Sequence, residues 1–371
     1  MEDKLEKLAK LLVNYSTKVK KGEFVLISSD EVALPLVKAI YKEAIIKGAH
    51  VEYILNSGEF SEIKYKYSSE DQLKHENIIM KHALSKADVC ISIIAERNTK
   101  TTFNADPEKI RISMNGAKSS QEIFTKRMGS GELRWVGTEY PTYAHAQEAK
   151  MSLDEYEDFV YGAGMLNLDD PISYWEEKSK KQEKICEFLN TKKEFRVISK
   201  DTDIKIYTEG RKWINCNGTQ NFPDGEVFCS PCENKIDGVI TFSYPSSFFG
   251  KDVEGIRLEV KDGKIISATA KKGEDFLNEL IKTDEGSSFF GEFAIGTNYN
   301  IEKFTNNTLF DEKIGGTIHM AIGESLEESG GKNRSTIHWD LVNDMHEGKI
   351  FADDELIYEN GKFMNKDFII K

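Results

Sequence analysis

Two histidines stand inside short β-branched runs, His319 in "GGTIHMAIGES" and His338 in "STIHWD", and Asp340 follows the second by two positions. Residues two apart on a strand leave the same face, so His338 and Asp340 can offer an imidazole and a carboxylate to one ion while Trp339 points the other way. The same spacing also serves a surface pair or a satisfied core pair. Two glutamates are out of keeping with their neighbours. Glu226 follows a Pro-Asp-Gly turn in "NFPDGEVFCSP", and the turn fixes the direction of its carboxylate. Glu292 is a single acid among Phe289, Phe290, Phe293, Ala294 and Ile295. A buried, unpaired carboxylate costs several kcal/mol, so Glu292 must be protonated, ion-paired or bound to metal. An exposed turn residue and a buried salt bridge are the plain alternatives for these two acids. Taken together, three carboxylates and two imidazoles without a thiolate suit Zn, Mn or Co, and five ligands exceed what one tetrahedral zinc needs. Two ions sharing a carboxylate could activate a hydroxide and polarise a carbonyl, the equipment for hydrolysing an amide.

The other five histidines, His50, His75, His82, His145 and His346, lie in or beside charged or helical segments and read as solvated or packing residues. Cys229 and Cys232 nominally form a C-x-x-C, but no second pair completes a zinc site and no helix opens on them, so coincidence is the reading. Five cysteines without framework spacing point to reduced thiols and a cytoplasmic protein. The net charge of -13, with no Lys/Arg-rich block, argues against nucleic acid and leaves a small molecule or peptide as substrate. No segment approaches 18 uncharged apolar residues, so no membrane span is expected.

The elements that must hold these residues fall into two halves of a 371-residue chain. The N-terminal "MEDKLEKLAKLLVNY" puts Leu5, Leu8, Leu11 and Leu12 at helical spacing. Strand signals at 23–29, 51–56, 88–95 and "LRWVGT" then alternate with helical stretches at 34–49, at "EDQLKHENIIMKHALSK", near 106–128 and between 152 and 190. Such alternation predicts an α/β domain over 1–194 with a mainly parallel sheet. Over 195–371 short strands follow one another, with Asp262-Gly263 as a hairpin turn and one helix at 274–283. This second domain is strand-rich α+β, and all the candidate ligands belong to it. The first half lacks clustered histidines and acids, so it would shape access and dimer contacts rather than do chemistry.

The segments "GTQNFPDGEVFCSP", "GEFAIGTN", "EKIGGTIHMAIG" and "GGKNRSTIHWDLVNDM" resemble, in order, the signatures of the aminopeptidase T, aminopeptidase S and aminopeptidase II family of metallopeptidases. "VGTEYPTYAHAQEAKMSLDEYEDF" in the first half is similar to the same family. The resemblance implies a two-domain, homodimeric exopeptidase that removes N-terminal residues from peptides with two divalent ions, Zn, Co, Mn or Mg. It marks Glu226, Glu292, His319, His338 and Asp340 as ligands; in the mechanism this suggests, Glu292 handles the proton, as bridging ligand or nearby base. One position departs from the pattern. The family's tyrosine seven residues after the first ligand histidine is Leu326 here, which removes a hydrogen-bond donor from the transition state. Tyr244, Tyr299 or Lys332 could substitute, or Glu324, Glu327 and Glu328 could reshape the pocket. A metal-dependent amidohydrolase on a non-peptide substrate and a weakened metal-binding homologue are the alternatives.

Overall fold

The structure is a computed structural model, and it describes residues 2–248 and 250–368. Its chain divides into two compact units: Met1–Ile172 with Gly218–Pro223, and Ser173–Asn217 with Asp224–Lys371. The division falls before the 194/195 boundary expected from the change of sequence character, and the reason is the helix Pro171–Leu189. Ile185, Cys186 and Leu189 join the core of the second unit. Gln182 on the same helix donates through Nε2 to the carbonyls of Cys216 and Glu226, at 2.9 and 3.0 Å.

The first unit is built on a five-stranded sheet ordered His50–Asn56, Phe24–Asp30, Val89–Ile94, Arg134–Glu139, Asn221–Phe222, and every neighbouring pair is parallel. Val25, Leu26, Ile27, Val89 and Ile91 are fully buried, as a parallel sheet covered on both faces requires. The N-terminal helix Glu2–Leu11 buries Leu5, Leu8 and Leu11, the stripe its spacing predicts. The helical signal at 70–86 becomes two helices, Glu70–Lys74 and Ile78–Lys86, because Ser69 and Asn77 each cap a new start. The stretch near 106–128 likewise forms two, Pro107–Gly116 and Lys118–Gly129.

The second unit contains an eight-stranded sheet and a five-stranded sheet. The smaller one is ordered His338–Asp344, Thr317–Gly323, Phe290–Gly296, Glu226–Cys229, Ile214–Cys216, and all its pairs are antiparallel. Its apolar face carries Val227, Cys229, Phe293, Ile295, Ile318, Met320, Ile322, Trp339 and Leu341 into one large core. Side chains alternate along each strand, so the remaining positions share the opposite face. Among the described residues no helix is long and apolar enough to cross a membrane.

Candidate metal centre

The register of the five-stranded sheet gathers all five expected residues on that opposite face. Glu292 and Asp340 both pair with Ala321, one from each side, and His319 lies between Ala294 and Val342. Glu226 faces Gly296, and His338 faces Gly323. Each of these polar groups thus stands opposite an alanine or glycine on one side, with Val342 and Cys216 on the other sides of His319 and Glu226. The small partners leave room for five donors to converge above a sheet whose other side is solid hydrocarbon. Gly225 sets the first of them. Its φ of +127° suits glycine, and a Cβ there would lie 2.4 Å from Lys178 Nζ, so the turn before Glu226 admits no side chain.

The distances are those of a packed polar cluster. His319 Nε2 lies 3.4 Å from Glu292, 3.6 Å from Glu226 and 3.9 Å from Asp340. His338 Nε2 lies 3.1 Å from the second oxygen of Glu292 and 3.6 Å from Asp340. Both rings are turned by the main chain. Nδ1 of His319 donates to the carbonyl of Glu312 at 3.0 Å, and Nδ1 of His338 to that of Glu324 at 2.8 Å. With Nδ1–H so engaged, Nε2 is the nitrogen left to bind an ion, the usual arrangement behind a ligating imidazole.

Sequence reasoning missed two residues of this cluster, Glu312 and Lys313. A carboxylate oxygen of Glu312 falls within 4.8 Å of donor atoms of His319 and Asp340. Lys313 is fully buried, 3.9 Å from Glu226 and in close contact with Glu312. The signal available was the charged Asp311-Glu312-Lys313 triplet set between "TLF" and "IGG", an apolar setting much like that of Glu292.

The electrostatics call for positive charge. Burial pushes the Glu226 carboxyl well above its ordinary value despite the neighbouring Lys313 ammonium, and burial raises Asp340 to about 6. Burial would raise Glu292 as well, but His319 and His338 outweigh it and hold that carboxyl at about 2. Burial would lower the two imidazoles, yet the facing carboxylates lift both to about 10. One oxygen of Glu226 and one of Asp340 are buried without a hydrogen-bond partner. Buried lone pairs of this kind, amid carboxylates and Nε2 atoms, fit a divalent cation well.

Three groups of donors are close enough to share an ion: Glu226, Glu292 and His319; Glu292, His338 and Asp340; Glu312, His319 and Asp340. A fourth, Cys216 with Asp224 and Glu226, is flanked by the buried Lys178, whose ammonium burial depresses to about 7. A narrow cleft of about 30 Å³ opens beside Glu312 and Asp340, walled by Phe304 and Ser246.

The other residues singled out in the sequence are accounted for as follows. Tyr299 donates its hydroxyl to the Gly361 carbonyl at 2.9 Å, so that hydroxyl is committed. Tyr244 stacks on Phe304 with ring centroids 5.2 Å apart. Lys332 donates its backbone N–H to Glu233. Leu326 leads into a short turn, Glu327–Ser329, with its N–H donated to Ser230 Oγ at 3.0 Å. Cys229 and Cys232 are free thiols directed at separate carbonyls, those of Ser230 and Glu209.

The first unit does hold a buried polar cluster, contrary to the expectation that it lacks clustered histidines and acids. His145 is 7% exposed, with Nδ1 3.3 Å from the fully buried Glu139, and Tyr156 donates its hydroxyl to the same carboxylate at 2.5 Å. Burial would lower His145, but Glu139 and Glu96 overcome it and raise the imidazole to about 9.

Several known proteins are similar to this chain in sequence, and one solved structure is similar in fold. Aminopeptidase 2 of Geobacillus stearothermophilus is 25% identical over 381 residues, covering 92% of each chain. Aminopeptidase AmpS of Bacillus subtilis (strain 168) is 26% identical over 405 residues, covering 97% of this chain and 98% of its own. The solved structure of wild-type AmpT from Thermus thermophilus superposes with a TM-score of 0.87 over 98% of this chain and 99% of that one, at 21% identity, which establishes the fold. Residues 1–363 match the family described as thermophilic metalloprotease (M29), and the chain belongs to that family.

Proposed function

We propose that this chain is a metal-dependent aminopeptidase that removes N-terminal residues from peptides, and that it works with two divalent ions. Membership of a metalloprotease family and the aminopeptidase names of its relatives support the reaction. The observation that carries the pair of ions is the sharing of Glu292 between two donor groups, one completed by Glu226 and His319, the other by His338 and Asp340. Glu312 is the sixth donor in this reading, beside His319 and Asp340.

Divalent ions at such a site polarise a carbonyl and make water more acidic. The chain's own residues do the rest. His319 and His338 present Nε2 because their Nδ1 protons are held by carbonyls. Lys313 offsets part of the charge of Glu226 and Glu312. Glu292, ionised and central, takes the proton of the attacking water and returns it to the leaving amine. Leu326 brings no donor to the transition state, so the rate rests on the remaining groups. The homodimer implied by the resemblance belongs to the same proposal and is checked by sedimentation.

The test is to strip the protein of metal, add back Zn, Mn, Co or Mg separately, and follow release of N-terminal residues from short peptides. Metal-dependent release, lost in His338→Ala, is the expected result. Tight binding of two ions with no release from any peptide would overturn the aminopeptidase reading in favour of a non-peptide amide or a silent homologue.

A further inference from the structure

A cleft of about 850 Å³ lies in the first unit and has no part in the chemistry above. It opens at the carboxyl ends of Phe24–Asp30, His50–Asn56 and Val89–Ile94. Phe24–Asp30 pairs with His50–Asn56 on one side and Val89–Ile94 on the other, so the strand order reverses there. In open parallel sheets this reversal is where connections part and a ligand crevice forms.

The lining decides what can bind. A phosphate-binding crevice needs a glycine-rich turn and free N–H groups after the first strand. Here the sequence after the strand core is "SSDEVALPL", without glycine. Asp30 also occupies the donors. Its carboxylate accepts from Val32 N at 3.2 Å and from the N–H of Gly58, which opens the helix Gly58–Tyr67. Glu59, Glu62 and Glu96 add three more carboxylates. Of the two cations in the lining, Arg97 is bound to Glu31 at 2.9 Å, and Lys66 lies over the ring of Tyr67, 5.4 Å from its centroid. Arg97 also acts on Asp30 and Glu59, and the His145 imidazole lies 3.8 Å from Glu96. With Glu31 counted, the carboxylates still outnumber these cations, so the field of the cleft favours a cation over an anion. An apolar wall stands beside the acids: Ile63, Tyr67 and Ile94 are 53%, 71% and 43% exposed. Ser57, in the lining, does not cap its helix, so its hydroxyl is free of that role.

We propose that this cleft is a second ligand site, separate from the donor cluster of the other unit, and that it takes a small primary ammonium carrying an apolar chain. The ammonium sits against Asp30 and Glu96, and the chain lies along Tyr67 and Ile94. A free apolar amino acid and a simple alkylamine both present this chemistry, and Lys66 at the rim favours the one that also carries a carboxylate. The inference does not rest on the peptidase reading.

Calorimetric titration of the metal-loaded protein with 3-methylbutylamine, L-leucine and ADP tests it. At least one of the first two binds, and binding weakens roughly tenfold or more in Asp30→Asn and in Glu96→Gln, while Glu292→Gln leaves it unchanged. Tighter binding of L-leucine identifies an amino acid as the class, and tighter binding of the amine identifies an amine. The Glu96 substitution keeps the test valid should Asp30→Asn unfold the turn that it caps. Binding of neither compound, binding of ADP alone, or loss of binding only in Glu292→Gln overturns the proposal.

Discussion

His338 Nε2 lies 3.1 Å from one oxygen of Glu292, while the other oxygen of the same carboxylate turns to His319 at 3.4 Å. One side chain thus faces both imidazoles, which is the geometry of a bridge. Replacing Glu292 with Ala removes a donor from both proposed ions at once. Metal content measured by mass spectrometry falls by both ions, and turnover drops at least about 100-fold, more than the loss of a supporting group behind a ligand costs. Retention of two ions and full turnover would end the bridging role.

Lys313 yields a different signature. Without its ammonium, the buried Glu226 carboxyl is left beside the half-buried carboxylate of Glu312. In Lys313→Met the metal-free protein loses about 3–5 kcal/mol by denaturant titration. Added divalent ions restore most of it, because they supply the missing positive charge. An equal loss with and without metal would mean that Lys313 acts by packing alone.

Metal uptake also moves protons. His319 and His338, each raised to about 10 in the metal-free cluster, are protonated near neutrality and must give up Nε2 protons to ligate. Binding in weakly buffered solution at about pH 7.5 releases about two protons from the imidazoles, with a further contribution from the raised Glu226 carboxyl, and affinity falls as the pH is lowered. Uptake without proton release would show that the imidazoles are not ligands.

His145 predicts a pH dependence of folding. Its folded pKa of about 9 lies above the ordinary 6.5 of an imidazole, so its contribution is fully present below about 6.5 and is lost as the pH rises through about 9. The stability difference between the parent chain and His145→Gln should be largest near pH 6 and shrink toward about pH 10. A difference that is constant over that range would assign the residue a packing role alone.

Leu326→Tyr tests the proposal that a hydrogen-bond donor is missing at this position. Supplying a donor there should raise turnover by about tenfold or more while leaving metal content unchanged. No gain would place the required donor elsewhere.

The meeting of the five expected residues on one sheet face was legible because each combines a polar side chain with an apolar strand context, which a partner or an ion would justify. Glu312 and Lys313 were not, since they follow the four-residue helix Thr308–Asp311 in a connection without periodicity. The strands Glu226–Cys229 and Phe290–Gly296 also escaped notice. Both are buried at every position, so no polar alternation reveals them. The His145 cluster joins a strand end, Glu139, to residues on two later helices, and sequence distance hides such a meeting. The fold class was readable from the change from alternating strands and helices to strands alone. The unit boundary was not, because the helix Pro171–Leu189 reads as part of the first pattern and packs with the second.

Both imidazoles of the cluster are aimed by backbone carbonyls, those of Glu312 and Glu324, rather than by side chains. A carbonyl is present whatever residue occupies the position, so no single substitution at 312 or 324 deletes the acceptor. The protonation pattern of the rings is therefore buffered against mutation. Selection can rework the surrounding side chains, Leu326 among them, without first having to rebuild the nitrogen that meets the ion.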